Sequence, residues 1–315
     1  MIYAKWLSTM TWLETDEMNK EIMRYLSDKD EIGKDIAKYL PYIGGDKGPY
    51  LVVFSEGNMM RDSFQSVELK SSLPLEMADL DGSKEAFSNW VEKYDLPSFP
   101  GHRKTVKMSD GRIVYDFLSL TDLRTVLASV KAATMLWQYI AEDDIPALRQ
   151  HIEYNKGEIA IKLAVTHDNF RVWRFPANEN LFEKEPKYLL SRAALVLKDF
   201  VDHGLLIFPP GNSIEVAFDP TSDDKYEFDF KAVSKPITPM SFIWTTIRDE
   251  LCQKGGVKWH FRRCADCHKW EDIAPPRRRS SWTRCDDCVA KIRKAGNLQR
   301  AKKSQNDKRR RSENK

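Results

Sequence analysis

Between Cys264 and Cys288 the chain reads CADCHKWEDIAPPRRRSSWTRCDDC. Four of the protein's five cysteines fall here as two Cys-x-x-Cys pairs separated by 17 residues, and the first 251 residues contain none. A secreted fold stabilised by disulfides spreads its cysteines through the chain, and this clustering argues against that. A thioredoxin-like dithiol needs a single pair within an α/β unit, and the second pair argues against it. An iron–sulfur site can also use four thiolates, but the stretch has no ferredoxin-type run and is dense in arginine. Two Cys-x-x-Cys turns at this separation suit a tetrahedral ion with four soft ligands. The pattern predicts one structural Zn2+ held by Cys264, Cys267, Cys285 and Cys288. His260 and His268 lie nearby, but four thiols leave neither needed. Cys252 falls in a helical apolar pattern and reads as a small buried residue.

The overall charge of +3 conceals a division of sign. Residues 254–315 carry 20 Lys and Arg against 7 Asp and Glu, whereas residues 1–253 carry 30 against 40. A cationic segment joined to an acidic body implies a polyanionic partner for the segment; a solvated tail is the plainer alternative. The charge reversal, the Gly255-Gly256 pair and the start of the cysteine cluster coincide. They divide the chain into a body at 1–254 that binds a partner or ligand, a four-cysteine zinc finger at 255–298 and a basic flexible tail at 299–315.

The body reads as α+β, mixing helix and strand. Acidic caps precede helical apolar spacing in TDEMNKEIMRYL and DKDEIGKDIAKYL, predicting two early helices. PYLVVFSEG reads as a short buried strand, and TVKMSDGRIVYDF as a hairpin turning at Asp110-Gly111. TDLRTVLASVKAATMLWQYI predicts a long helix with Leu123, Val126, Leu127, Val130 and Leu136 on one side. EIAIKLAV reads as a strand. EPKYLLSRAALVLKDFVDHG has a proline in its first turn and a glycine at its end, the asymmetry of a bounded helix. LLIFPP, SIEVAFDP and KYEFDFKAV read as strands, and PMSFIWTTIRDELCQKGG as a helix stopped by glycine.

Around the cysteines, VKWHFRR is strand-like and VAKIRKAGNLQRAKKSQ holds good helix formers. Strand, knuckle, loop, knuckle and helix together predict a treble-clef-like finger. A unit this small lacks a sufficient apolar core, so the metal must supply much of its folding free energy. Its loop, PPRRRSSWTR, surrounds Trp282 with Arg277, Arg278, Arg279 and Arg284. Arginine forks bind phosphates and a tryptophan can stack on a base; the alternative for Trp282 is a cap on the finger's small core. With Lys291, Arg293 and Lys294 beyond the second pair, these residues are the expected nucleic-acid contacts.

The succession SFIWTTIRDEL, Gly-Gly, VKWHFRRCADCHKW, an arginine-rich loop and WTRCDDCVAKIRKA resembles the C-terminal region of bacterial CGNR-type zinc-finger proteins. The name-giving Cys-Gly-Asn-Arg of that family stands here as Cys288-Val289-Ala290-Lys291, in which lysine retains a cation. The resemblance implies an N-terminal α+β domain joined to a zinc finger, the four cysteines as ligands, and DNA-binding transcription regulation.

Two other classes stand beside this reading. The finger can serve as a protein-interaction adaptor whose arginines meet an acidic partner. The body can be a nuclease targeted by the finger, since Asp219, Asp229 and Lys231 loosely echo a two-carboxylate magnesium site. Glu227, Asp229 and Lys231, however, alternate with Tyr226, Phe228 and Phe230, as the solvated face of a strand does. His167-Asp168 shows no partner spacing. The sequence therefore favours a binding protein over an enzyme. The N-terminal residues have no basic stretch followed by an apolar run, which points to the cytoplasm.

Overall fold

The structure is a computed structural model describing residues 1–6, 9–14, 16–17, 20, 49–55, 64–95, 106–107, 113–164, 170–218, 228–252, 259–272 and 284–313. The chain divides into two compact units, Met1–Trp259 and His260–Lys315. Of the first helix expected between residues 15 and 40 only Asp16, Glu17 and Lys20 are described, and they are helical; the second lies outside the described residues, as do His167-Asp168, Asp219 and Gly255-Gly256.

The first unit opens with strands β1 (Ile2–Trp6), β2 (Thr9–Leu13), β3 (Tyr50–Ser55) and β4 (Phe64–Glu68). Helices α1 (Leu73–Ala78) and α2 (Lys84–Tyr94) follow, then β5 (Val106–Lys107) and β6 (Ile113–Ser119). An antiparallel sheet runs β2-β3-β6-β5, and β1 pairs separately with β4. PYLVVFSEG supplies β3, whose residues Tyr50, Leu51, Val52 and Val53 are all buried. Burial of consecutive residues means that both faces are covered, which is why the run is apolar without alternation. The hairpin expected around Asp110-Gly111 appears as the β5–β6 pairing, with Val106 opposite Val114.

Ser119 ends β6 and starts α3 (Leu120–Ala141): its hydroxyl accepts from the Asp122 N–H at 3.0 Å, filling one of the donors that a helix N-terminus leaves open. Leu123, Val126, Leu127, Val130 and Leu136, the predicted apolar side, are all buried. Trp137 is fully buried and meets Trp259 edge-to-face at 5.1 Å. Helix α4 (Ile145–Arg149) leads to the antiparallel sheet of β7 (Ile152–Asn155), β8 (Glu158–Ala164) and β9 (Phe170–Pro176).

After α5 (Glu179–Lys184), α6 (Pro186–Ile207) begins at its proline, as the sequence predicts, but does not stop at Gly204. Residues 205–207, assigned to a strand in LLIFPP, are its last turn. The glycine has another purpose. A Cβ at Gly204 would lie 2.2 Å from Cδ2 of Trp244, so the missing side chain is the space into which that indole packs. Strands β10 (Gly211–Phe218) and β11 (Phe228–Lys235) form the next hairpin, and α7 (Pro239–Leu251) opens with a Thr238/Ser241 capping box.

Cys252 corrects the sequence reading: it is exposed, because α7 ends at Leu251 and Cys252 is the terminal cap, donating its N–H to Arg248 O at 3.0 Å. Asp229 and Lys231 sit on β11 opposite Ala217 and Glu215. No helix among the described residues is long and apolar enough to cross a membrane.

In the second unit, β12 (Phe261–Arg263) and β13 (Trp270–Asp272) pair as a short antiparallel hairpin. The other element is α8 (Asp286–Glu313), 28 residues long and so about 42 Å from end to end. It runs through residues 299–313, the stretch set apart by sequence as a flexible tail. The finger helix and that stretch are therefore one element in secondary structure; the lysines, arginines, glutamines and alanines there are good helix formers.

Candidate metal centre

The two Cys-x-x-Cys pairs occupy different kinds of turn. Cys264 and Cys267 lie in the loop that joins β12 to β13. The Cys264 N–H donates to Lys269 O at 2.9 Å, and the His268 N–H donates back to Cys264 O at 2.9 Å. The turn closes through His268 at φ 57°, left-handed backbone in which histidine is among the better-tolerated non-glycine residues. Cys285 and Cys288 instead start α8. The Cys288 N–H points at Cys285 Sγ at 3.4 Å, and the Val289 N–H donates to Cys285 O at 3.0 Å. Cys285 thus caps the helix with sulfur where serine would use oxygen, and the spacing of three returns Cys288 to the same face.

These turns bring the four Sγ atoms within 4.8 Å of one another. Cys267 Sγ and Cys285 Sγ are 3.6 Å apart, far beyond a covalent disulfide, and all five cysteines are free. Cys264, Cys285 and Cys288 are buried as a cluster and Cys267 is exposed. Among the described residues of this unit, Phe261 is the only other buried side chain. The described part of its interior is largely sulfur.

The surroundings favour one thiolate readily and resist more. Backbone N–H groups of Cys285, then Cys267 and Asp266, converge on Cys264 and hold its thiol at about 6; the Cys285 N–H lies 3.3 Å away. Cys288 is pushed up to about 12 by its hydrogen bond with the Cys285 sulfur, by burial, and by the neighbouring Cys267 and Cys264. Cys285 rises as well: the Cys288 N–H lowers it, but burial and contact with the Cys267 and Cys264 sulfurs outweigh that. A cation among the four sulfurs removes this conflict, because each ligand then ionises against positive charge. The group can hold one metal ion. Neither histidine joins it: His260 Nε2 lies 3.9 Å from Asp272 Oδ1, and His268 is exposed.

Of the residues expected to contact nucleic acid, Arg277, Arg278, Arg279 and Trp282 lie outside the described residues. Lys291, Arg293 and Lys294 are exposed in the first turns of α8, directly beyond the sulfur cluster. Arg284 has a partner inside the unit: its Nε donates to Asp266 Oδ2 at 2.7 Å. Arg284 precedes Cys285 and Asp266 precedes Cys267, so this pair ties one knuckle to the other. Two cations missing from the sequence-based set, Arg262 and Arg263, are exposed on β12. The Arg263 guanidinium lies 4.8 Å over the Trp270 ring, its antiparallel partner. The signal was present, since Arg263 and Trp270 flank the first knuckle closely on either side. No protein-family model, curated protein or solved structure matches the chain at a significant level.

Proposed function

We propose that the C-terminal unit is a structural zinc finger that binds nucleic acid, DNA in the first instance, and that the protein regulates transcription in the cytoplasm of its cell. The observation that carries this reading is the position of the sulfur cluster at the N-terminus of a long cationic helix whose Lys291, Arg293, Lys294 and Arg300 are exposed. An all-sulfur donor set suits zinc, and a tetrahedron with Zn–S bonds of about 2.3 Å has edges of about 3.8 Å. The 3.6 Å between Cys267 and Cys285 is close to that. Four thiolates fill a tetrahedral coordination sphere, so the ion holds the fold and leaves catalysis aside. Helix α8 carries 10 Lys and Arg against 4 Asp and Glu, distributed all round its axis. Such a surface neutralises phosphates without a base preference of its own. The resemblance to CGNR-type fingers supplies the link to transcription.

Anisotropy titrations of the full-length protein on duplex DNA test this. With about five phosphates neutralised, log K falls against log salt with a slope of about −4.5. The triple variant Lys291→Ala/Arg293→Ala/Lys294→Ala flattens that slope by about 2.7. Absence of binding to any DNA or RNA at low salt rejects the reading. One observation favours the adaptor alternative: Ile292 and Leu298 are 51% and 55% exposed on the same helix. A protein partner retained by the finger after nuclease treatment decides for it.

A further inference from the structure

Strand β9 stands at one edge of the β7-β8-β9 sheet, and its pairing shows which of its peptide groups point outward. The Ala177 N–H donates to Gly157 O at 2.9 Å, one step beyond the Glu158–Pro176 pair. Antiparallel bonding alternates along a strand, so Arg171, Trp173 and Phe175 are the residues bonded to β8. The N–H and C=O of Phe170, Val172 and Arg174 therefore face away from the sheet, with no partner among the described residues. The next outward carbonyl, that of Pro176, accepts from the Tyr188 hydroxyl of α6. Soluble proteins guard such an edge with a proline, a bulge or an unpaired charge in the strand. Before Pro176, β9 has no proline and no break in register, and its two charges are met within the chain: Arg171 by Asp199 at 3.1 Å and Arg174 by Glu158. Phe170 and Val172 are 59% and 41% exposed along it. Leu195, 47% exposed, shares the stripe of α6 whose Tyr188, Arg192 and Asp199 meet β9.

We propose that β9 is the pairing edge for a second copy of this chain, joining two three-stranded sheets into one ordered β7-β8-β9-β9-β8-β7. The strand's own sequence selects that occupant. Antiparallel pairing about Val172 sets Val172 opposite Val172, Phe170 opposite Arg174 and Arg171 opposite Trp173 of the second copy. In that register the outward peptide groups of Phe170, Val172 and Arg174 are all satisfied at once. No arginine faces an arginine, and each lies against an aromatic residue, with which a guanidinium packs favourably. Arginines already paired within their own chain offer little to an acidic peptide, so a neutral and self-complementary strand is the better fit. Main-chain bonds supply the attraction, and exposed Phe170, Val172 and Leu195 supply apolar surface to bury. One strand and one helix stripe bury less than the roughly 1,200 Å² at which standard interfaces begin, so the dimer is weak and reversible, with a Kd on the order of 10 μM.

Sedimentation equilibrium of the full-length protein, free of nucleic acid and spanning concentrations on both sides of that Kd, tests the proposal. The parent passes from monomer to dimer. Val172→Pro removes an outward N–H that bonds nothing within the chain and weakens the dimer at least about tenfold. Val172→Lys and Val172→Glu each set like charges face to face across the two-fold and weaken it by about as much. Mixed in equal amounts, the Lys and Glu variants associate as tightly as the parent, because opposite charges then meet. Lys162 is level with Val172 on β8, and it cannot produce that recovery, so the mixture is the decisive readout. If Val172→Pro fails to fold, the Lys and Glu variants decide alone. A parent that stays monomeric at tenfold the expected Kd, a dimer insensitive to all three substitutions, or a mixture without recovery overturns the proposal. Residue 172 lies in the first unit and no readout involves nucleic acid, so the result stands apart from that of the finger.

Discussion

Cys285→Ser empties the metal centre and unfolds the C-terminal unit while leaving the first unit intact. The substitution is clean, because serine keeps an oxygen that can cap α8 at the Cys288 N–H and removes only the sulfur ligand. Structural zinc binding is worth about 10–16 kcal/mol in finger peptides, and the described residues of this unit bury little else. Phe261 and three cysteines are the buried side chains among its described residues. Without its seed, a helix such as α8 is marginal in water, since nucleation is unfavourable and its side chains over residues 289–300 bury little that would repay it. Metal analysis therefore changes from one ion per chain to none, helical circular dichroism falls, and amides of residues 260–298 lose exchange protection. A chelator acting on the parent protein produces the same three changes. A Cys285→Ser protein that keeps its exchange protection shows that metal does not organise the finger.

Gly204→Ala destabilises the first unit by about 3 kcal/mol, toward the upper end of overpacking costs in a close-packed core. The new methyl would lie 2.2 Å from Cδ2 and 2.3 Å from Cε2 of Trp244, a ring on a residue that is itself only 2% exposed. Alanine's better helix propensity returns about 1 kcal/mol, too little to offset the clash. Gly296 on α8 is the matched control. It too is a glycine inside a helix, but nothing lies within 4 Å of where its Cβ would sit. Gly296→Ala therefore stabilises its helix by about 1 kcal/mol. Calorimetry on the two variants separates packing from propensity. A melting temperature for Gly204→Ala equal to or above that of the parent rejects the close helix contact.

The elements legible in the sequence were those whose signal is local and repeated. The apolar side of α3, the run of β3, the proline that opens α6 and the two knuckles each announce themselves within about twenty residues. Gly204 misled because a glycine that ends a helix and one that admits an indole look alike in one dimension. The difference lies in Trp244, forty residues on, and the same error turned the last turn of α6 into a strand. Cys252 was misplaced by extending an apolar period one residue past the helix end. Strand β9, FRVWRFP, went unread because arginine interrupts its apolar residues. Arg171 pairs there with Asp199 at 3.1 Å and stacks over Trp173 at 4.9 Å, contacts that only the tertiary fold makes.

Spacing alone determined that four thiols can address one ion, since a Cys-x-x-Cys turn converges its sulfurs through short-range backbone geometry. Charge counting alone separated a cationic end from an acidic body. Tertiary structure decided how the sulfurs differ, because their ionisation depends on N–H groups donated from the opposite knuckle. It also decided that Arg284 spans the two knuckles, and that β9 stands at the edge of its sheet. Those are properties of residues far apart in the chain, and distances of a few ångströms between such residues exist only once the backbone has folded.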